Sequence, residues 1–139
     1  IDGISLQAAT CCHPVPGDRI IGQMRGGHGL SIHRMDCETA RKQISRDAER
    51  WIDVEWDEEV SGMFRTLIEI TADDERGILG RIASEITASN ADILQVAMDT
   101  ESEQVAIIRF TLQVQDRDHL AEVFRRLRKL PQTRTITRA

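Results

Sequence analysis

Hydrophobic and polar positions change period along this chain, and each change marks a predicted element. The segments GDRIIGQM (17–24) and LSIHRM (30–35) predict two short strands. RGGHG between them is a glycine-rich turn. Asp36 predicts the N-cap of a helix running from Cys37 to Asp47. WIDVEW (51–56) alternates, with Ile52, Val54 and Trp56 on one face and Trp51, Asp53 and Glu55 on the other, which predicts a half-buried strand. The polar run DEEVSG (57–62) ends in Ser-Gly and marks a boundary, dividing the chain into modules 1–60 and 61–139.

The second module has the stronger periodicity. Residues 64–72 predict a strand with Phe64, Ile68 and Ile70 on one side. Gly77 precedes a helix whose apolar face is Ile78, Leu79, Ile82 and Ile86. Residues 92–99 alternate, with Leu94, Val96 and Met98 expected to point inward. Residues 104–114 predict the longest strand, carrying Ala106, Ile108, Phe110, Leu112 and Val114 on one face. A second helix over 117–130 places Leu120, Val123, Phe124, Leu127 and Leu130 on its inner face, Pro131 stops it, and Thr133–Thr137 predict a last strand. The order β-α-β-β-α-β is that of a ferredoxin-like antiparallel sheet with two helices on one face. The predicted class is therefore α+β: a small β-rich module followed by a ferredoxin-like one.

Composition narrows the function classes. The 139 residues are 40% hydrophobic and 29% charged, as in a folded protein, and no run is long enough to span a membrane. Three cysteines in such a chain do not form a disulfide framework, so a reducing, cytoplasmic setting is expected. The chain opens at Ile1 in mid-pattern, which reads as an excised fragment. The net charge of −5 is unevenly spread. Residues 1–46 carry six Lys/Arg against four acids, 47–61 one against seven, and 62–139 eleven against twelve. A mildly basic head, an acidic hinge and a balanced tail fit two modules.

Chemistry concentrates in two stretches. Cys11, Cys12, His33 and Cys37 supply the ligand set of a Cys3His zinc site. Their spacing argues the other way: zinc knuckles space their cysteines, and adjacent residues of a strand point to opposite faces. The reading taken from spacing is a buried thiol cluster beside the Pro-Gly turn that needs no cofactor, with bound zinc as the alternative. Arg25, His28 and Arg34, on or near the glycine-rich tip, suit phosphate backbones, as do Arg41 and Lys42 on the following helix. The tip itself is no phosphate loop, because it lacks the Gly-x4-Gly-Lys-Ser/Thr pattern. In ADDERGILG a strand ends, acids follow, and Gly77 lets the backbone approach a ligand where a helix begins. A tight turn with solvated acids explains the same residues. No catalytic motif is present in the sequence: there is no His-Glu-x-x-His and no Gly-x-Ser-x-Gly.

The stretch CCHPVPGDRIIGQMRGGHGLSIHRMDC resembles the Cys-Cys-x-Pro-x-Pro-Gly-Asp…His-Arg-x-x-Cys signature of long RelA/SpoT homologues, the bifunctional (p)ppGpp synthetase/hydrolases of bacteria. That signature lies in their zinc-finger, or ribosome-intersubunit, domain. The second module resembles an ACT domain, with an Asp-x-x-Gly-x-Leu turn in Asp74, Gly77 and Leu79. The resemblance covers nearly the whole chain and implies a regulatory region without catalysis, the enzymatic domains lying upstream. It implies docking on the ribosome and A-site tRNA through the first module. It also implies an ACT homodimer sensing a free amino acid at the strand–helix turn, against a second subunit. The expected ligand residues are Asp74, Arg76, Gly77, Ile78, Leu79, Asn90, Asp92 and Ile93. The N–H groups of Gly77, Ile78 and Leu79 would hold the carboxylate, and Asp74 and Asp92 the ammonium. Ile78, Leu79 and Ile93 would wall in an aliphatic side chain such as that of valine or isoleucine, with Arg76 either gating the pocket or pairing with an acid. A purely macromolecular docking module with no small ligand is the competing expectation.

Overall fold

The computed structural model describes residues 6–139 and divides into two compact units that part between Val60 and Ser61. The first unit is a four-stranded sheet of order β1-β3-β2-β4 with one helix. Its strands are β1 (Leu6–Ala8), β2 (Ile20–Met24), β3 (Leu30–Arg34) and β4 (Trp51–Asp53), and α1 is Glu38–Arg46. The β2–β3 hairpin, register Gly22 to Ile32, turns through a short 3-10 segment at Gly26–His28. The side chain of His28 lies outside the described structure.

Three features differ from the sequence pattern. β1 gives no signal in sequence, because all three of its residues are exposed; it pairs parallel to β3. β4 is shorter than WIDVEW, since β2 offers partners only to Trp51, Ile52 and Asp53. Val54 still packs beside Gly22, where an added Cβ would lie 3.1 Å from its Cγ1. Finally, α1 begins one residue later than predicted, with Cys37 rather than Asp36 at the N-cap.

The loop from Cys12 to β2 is held by its own turn. Asp18 N–H donates to the Val15 carbonyl at 3.0 Å, Gly17 takes φ 99° between them, and the Asp18 carboxylate accepts from Val15 N–H at 2.7 Å. Trp56 Nε1–H closes over this turn by donating to the Asp18 carbonyl at 3.0 Å.

The second unit has the β-α-β-β-α-β order: β5 (Phe64–Asp73), α2 (Ile78–Ala88), β6 (Asp92–Thr100), β7 (Val105–Val114), α3 (Arg117–Arg128) and β8 (Thr133–Arg138). Its sheet runs β6-β7-β5-β8 and every pairing is antiparallel. This is the predicted ferredoxin-like class. Ile68, Ile70, Ile108, Phe110, Leu112 and Val114 from the sheet meet Ile78, Ile82 and Ile86 of α2 and Leu120, Val123 and Leu127 of α3 to form the core. Asp116 caps α3, its carboxylate accepting from His119 N–H at 2.8 Å. The His119 ring ties the two helices: Nδ1 accepts from Gln115 N–H at 2.9 Å and Nε2–H donates to the Ser89 carbonyl at 2.6 Å.

Two expectations of burial need correction. Leu79 was expected on the inner face of α2 but is 37% exposed. Leu94, Val96 and Met98 were expected to point inward and are 39–43% exposed. Val96 and Met98 do stand on the helix side, opposite Phe110 and Ile108, and a bulge interrupts the register between Ile93 and Gln95. β6 is the edge strand of the sheet, and α2 and α3 leave that edge uncovered.

Candidate functional site

In the first unit the four sulfur and nitrogen ligand atoms of Cys11, Cys12, His33 and Cys37 all lie within 4.8 Å of one another. Cys11 Sγ is 3.4 Å from His33 Nδ1 and 3.5 Å from Cys37 Sγ, and Cys12 Sγ is 4.0 Å from His33 Nδ1. This overturns the spacing argument, which assumed that Cys11 and Cys12 point apart as on a strand. They sit instead in a turn after β1, closed by His13 N–H donating to the Ala9 carbonyl at 2.9 Å, with His13 at φ 46°. Adjacent side chains do not alternate in such a turn, so both sulfurs converge. β3 supplies His33, and Cys37 arrives at the start of α1.

The cluster fits a tetrahedral metal. A zinc–sulfur bond of about 2.3 Å implies sulfurs about 3.8 Å apart, close to the separations present. Three thiols and an imidazole form a donor set that favours zinc over hard cations. His33 Nε2 lies 3.4 Å from Ser31 Oγ, and this contact leaves Nδ1 to face the sulfurs. Arg34 N–H donates to Cys12 Sγ at 3.3 Å. Trp51 packs at 5.2 Å from the His33 ring, tilted by 58°, and covers the cluster with Ala9 and Ala40.

The thiols differ in acidity. Burial pushes Cys12 up to about 12, and burial also raises Cys11, helped by the neighbouring Cys37. Burial opposes ionisation of Cys37 too. The N–H of Ala40 at the helix start and the thiols of Cys11 and Cys12 outweigh it, and Cys37 falls below the ordinary thiol value. Burial, then the Arg25 charge, lowers His33 and keeps its imidazole neutral, as a metal ligand requires.

The predicted RNA-contact residues come from two elements, the β2–β3 hairpin and α1. Arg25 is exposed, and its guanidinium has no partner among the described residues. Arg41 and Lys42 are exposed on α1, Arg41 donating to the Met35 carbonyl and Lys42 paired with Glu38 at 3.3 Å. Arg34 is 11% exposed, bonded to Asp36 at 3.4 Å, and lies on the sheet face opposite His33.

In the second unit Gly77 is the N-cap of α2 in the left-handed region, φ 83°, where a side chain is strained. Ile78 N–H is already taken by the Glu75 carbonyl at 3.1 Å, and its side chain is 2% exposed, inside the core. The open donors of this turn are the N–H groups of Arg76, Gly77, Leu79 and Gly80, which have no partner among the described residues. Asp74, Arg76 and Leu79 surround them and are exposed.

Asn90, at φ 65°, and Asp92 and Ile93 follow the far end of α2. Asp92 stands opposite Gln113, which stands opposite Arg65 near the start of β5, whereas Asp73 ends β5. The eight residue steps from Arg65 to Asp73 put these two groups about 26 Å apart along the sheet. One chain therefore does not bring the eight predicted residues into one pocket.

The second unit, an antiparallel ferredoxin-like sheet with a glycine-started helix, is an ACT domain: the ACT-domain family model matches residues 61–138. The crystal structure of the ACT domain from the GTP pyrophosphokinase of Chlorobium tepidum has the same fold, with TM-score 0.50 and 20% identity, covering 56% of this chain and all of that one. The model of the RelA/SpoT RIS domain matches residues 1–57. The chain belongs to the RelA/SpoT homologues, as a region carrying their RIS and ACT domains. It is 35% identical to a GTP pyrophosphokinase of Streptomyces coelicolor and 34% to the bifunctional (p)ppGpp synthase/hydrolase RelA of Mycobacterium tuberculosis, each over 92% of this chain. It is 31% identical to the bifunctional (p)ppGpp synthase/hydrolase SpoT of Escherichia coli over 99% of this chain. The chain spans 15, 17 and 19% of the length of these three relatives. Among the described residues no helix is long and apolar enough to cross a membrane.

Proposed function

We propose that this region regulates a (p)ppGpp synthetase/hydrolase. Its ACT domain senses a branched-chain amino acid between two copies of the chain, and its RIS domain is a zinc-bound module that docks on ribosomal RNA and tRNA. The observation that carries the sensing reading is the separation of the two halves of the predicted pocket. The Gly77 turn and Asp92 lie at opposite ends of the same sheet. The edge strand between those ends, β6, is unpaired on its outer side and presents Val96 and Met98 to solvent.

An unpaired edge strand with apolar side chains invites a second strand. A two-fold axis perpendicular to the sheet would pair β6 antiparallel with its copy, keeping the helices of both chains on one face. In that arrangement the start of one β6 meets the end of the other. Asp92 of one copy then approaches the Gly77 turn of its partner. The Leu79 and Gly80 N–H groups take the ligand carboxylate. Asp92 takes the ammonium, and Leu79 and Ile93 form the wall for an apolar side chain. Burying an isopropyl or butyl group contributes about 1.5–3 kcal/mol, which favours valine and isoleucine over glycine and serine. Titration calorimetry with these four amino acids should give heat with the first two only, and Asp92→Ala should abolish it. Absence of heat with all four removes the sensing reading.

The RIS reading rests on the converging Cys3His donor set for the metal, and on the exposed cations Arg25, Arg41 and Lys42 for RNA. Elemental analysis of protein purified without chelator should find about one zinc per chain, as a closed four-ligand site holds. Loss of that zinc in a still-folded Cys37→Ser variant is the expected control. Metal-free protein with an intact fold would leave the thiol cluster as packing alone.

A further inference from the structure

Beside the metal cluster, the face of the first sheet turned toward α1 carries a cleft of about 300 Å3. Its walls bring together Gln7 after the start of β1, Gln23 and Arg25 from β2 and its end, Ser31 from β3, and Thr39 and Gln43 from α1. Among the described residues no carboxylate lines it. Gln23 Nε2–H donates to Gln43 Oε1 at 3.1 Å. The Gln23 carbonyl and the Gln43 amino group are left without partners among the described residues. Ser31, 5% exposed, lies on the floor, and Arg25, whose guanidinium has no partner among the described residues, is exposed to solvent.

The charge balance narrows the ligand. A zinc held by three thiolates and a neutral imidazole carries one net negative charge, and Cys11 and His33 form part of the wall. That charge offsets Arg25, so the cleft as a whole is close to neutral and does not suit a polyphosphate. What it offers is paired amide donors and acceptors with hydroxyls around them, and one cation. Amide side chains match the donor–acceptor edges of nucleobases, and such edges are open only where a base is unpaired. The guanidinium matches a single phosphate. The volume is at the small end for a ligand site.

We propose that this cleft receives one unpaired nucleotide, its base edge read by Gln23 and Gln43 and its phosphate held by Arg25. The proposal rests on the RNA-docking reading and adds to it a place where sequence, not only charge, is recognised.

The test uses the 139-residue chain, with short labelled single-stranded RNAs of each base, duplex RNA of matched sequence, free 5′-mononucleotides and inorganic phosphate. Single strands should bind more tightly than duplexes, with a preference among bases. Gln23→Ala, and Gln43→Ala on α1, should each weaken the preferred base about tenfold and flatten the preference, with unchanged salt dependence. Arg25→Ala should weaken every sequence and reduce the salt slope by about one.

Competition by mononucleotides assigns a free nucleotide as the occupant. Lack of competition with RNA binding intact assigns the strand. Competition by inorganic phosphate as strong as by mononucleotides reduces the cleft to an ion site and overturns the proposal. If Arg41→Ala and Lys42→Ala weaken RNA binding while both glutamine variants keep the parent's base preference, RNA docking stands and the nucleotide cleft falls. If no RNA binds, both fall.

Discussion

At the scale of single residues, Thr66 interrupts the apolar run of β5. It stands on the helix side with Ile68 and Ile70, is fully buried, and its Oγ1 has no hydrogen-bond partner among the described residues. An unpaired hydroxyl in a core costs about 1–3 kcal/mol, and valine has the same shape without it. Thr66→Val should raise the stability of the second module by about 1 kcal/mol in chemical denaturation. A loss of stability would mean that the hydroxyl is partnered in solution. The alternation of β5 was legible in the sequence; the orphaned hydroxyl within it was not, because a partner depends on which side chains pack opposite. The thiol cluster has the same character. Its four members could be named from the sequence, but their convergence depends on the turn at Ala9–His13, and residue type alone does not reveal that backbone. His13 at positive φ is the local mark of that turn, and nothing in its chemistry announces it.

At the scale of elements, periodicity reported α2, α3, β5 and β7 well because each buries one face against a partner in the same module. β6 carries the same alternation yet is exposed along nearly its whole length. Its pattern therefore records burial that the single chain does not provide, and the proposed dimer supplies it. Val96→Lys and Met98→Lys place charges on this strand without touching the core. Each should shift the protein from dimer toward monomer in sedimentation and lower the affinity for valine, leaving the far-UV circular dichroism unchanged. A variant that stays dimeric and binds as before would put the interface elsewhere. β1 is the opposite case: three exposed residues have no pattern, and their place is set by backbone pairing with Leu30, Ser31 and Ile32 alone.

At the scale of the whole chain, two units with separate cores carry two different kinds of stabiliser. The first unit's buried apolar side chains are few: Ala9, Cys12, Cys37 and Ala40 with Trp51 against them, and Val15, Ile20 and Leu30. A core of that size contributes little hydrophobic stabilisation, so a bound metal should supply much of this unit's folding free energy. The second unit has a broad apolar core of its own between sheet and helices and needs no metal. Anything that binds only the folded state stabilises it by RT ln(1 + [L]/Kd), which is about 2.7 kcal/mol at a hundredfold excess over Kd. Calorimetry of the zinc-loaded chain should therefore show two transitions that answer to different additives. A strong chelator with a reductant should lower the first unit's transition, while the second keeps its midpoint. Saturating valine or isoleucine should raise the second and leave the first where it was. Two reporters separate the transitions: both tryptophans, Trp51 and Trp56, lie in the first unit, so indole fluorescence follows that unit alone, whereas circular dichroism follows both. Chelator that leaves the fluorescence midpoint in place would remove the metal from the account of the first unit. Valine that moves the fluorescence midpoint as far as the dichroism midpoint would mean that ligand binding is felt across both units.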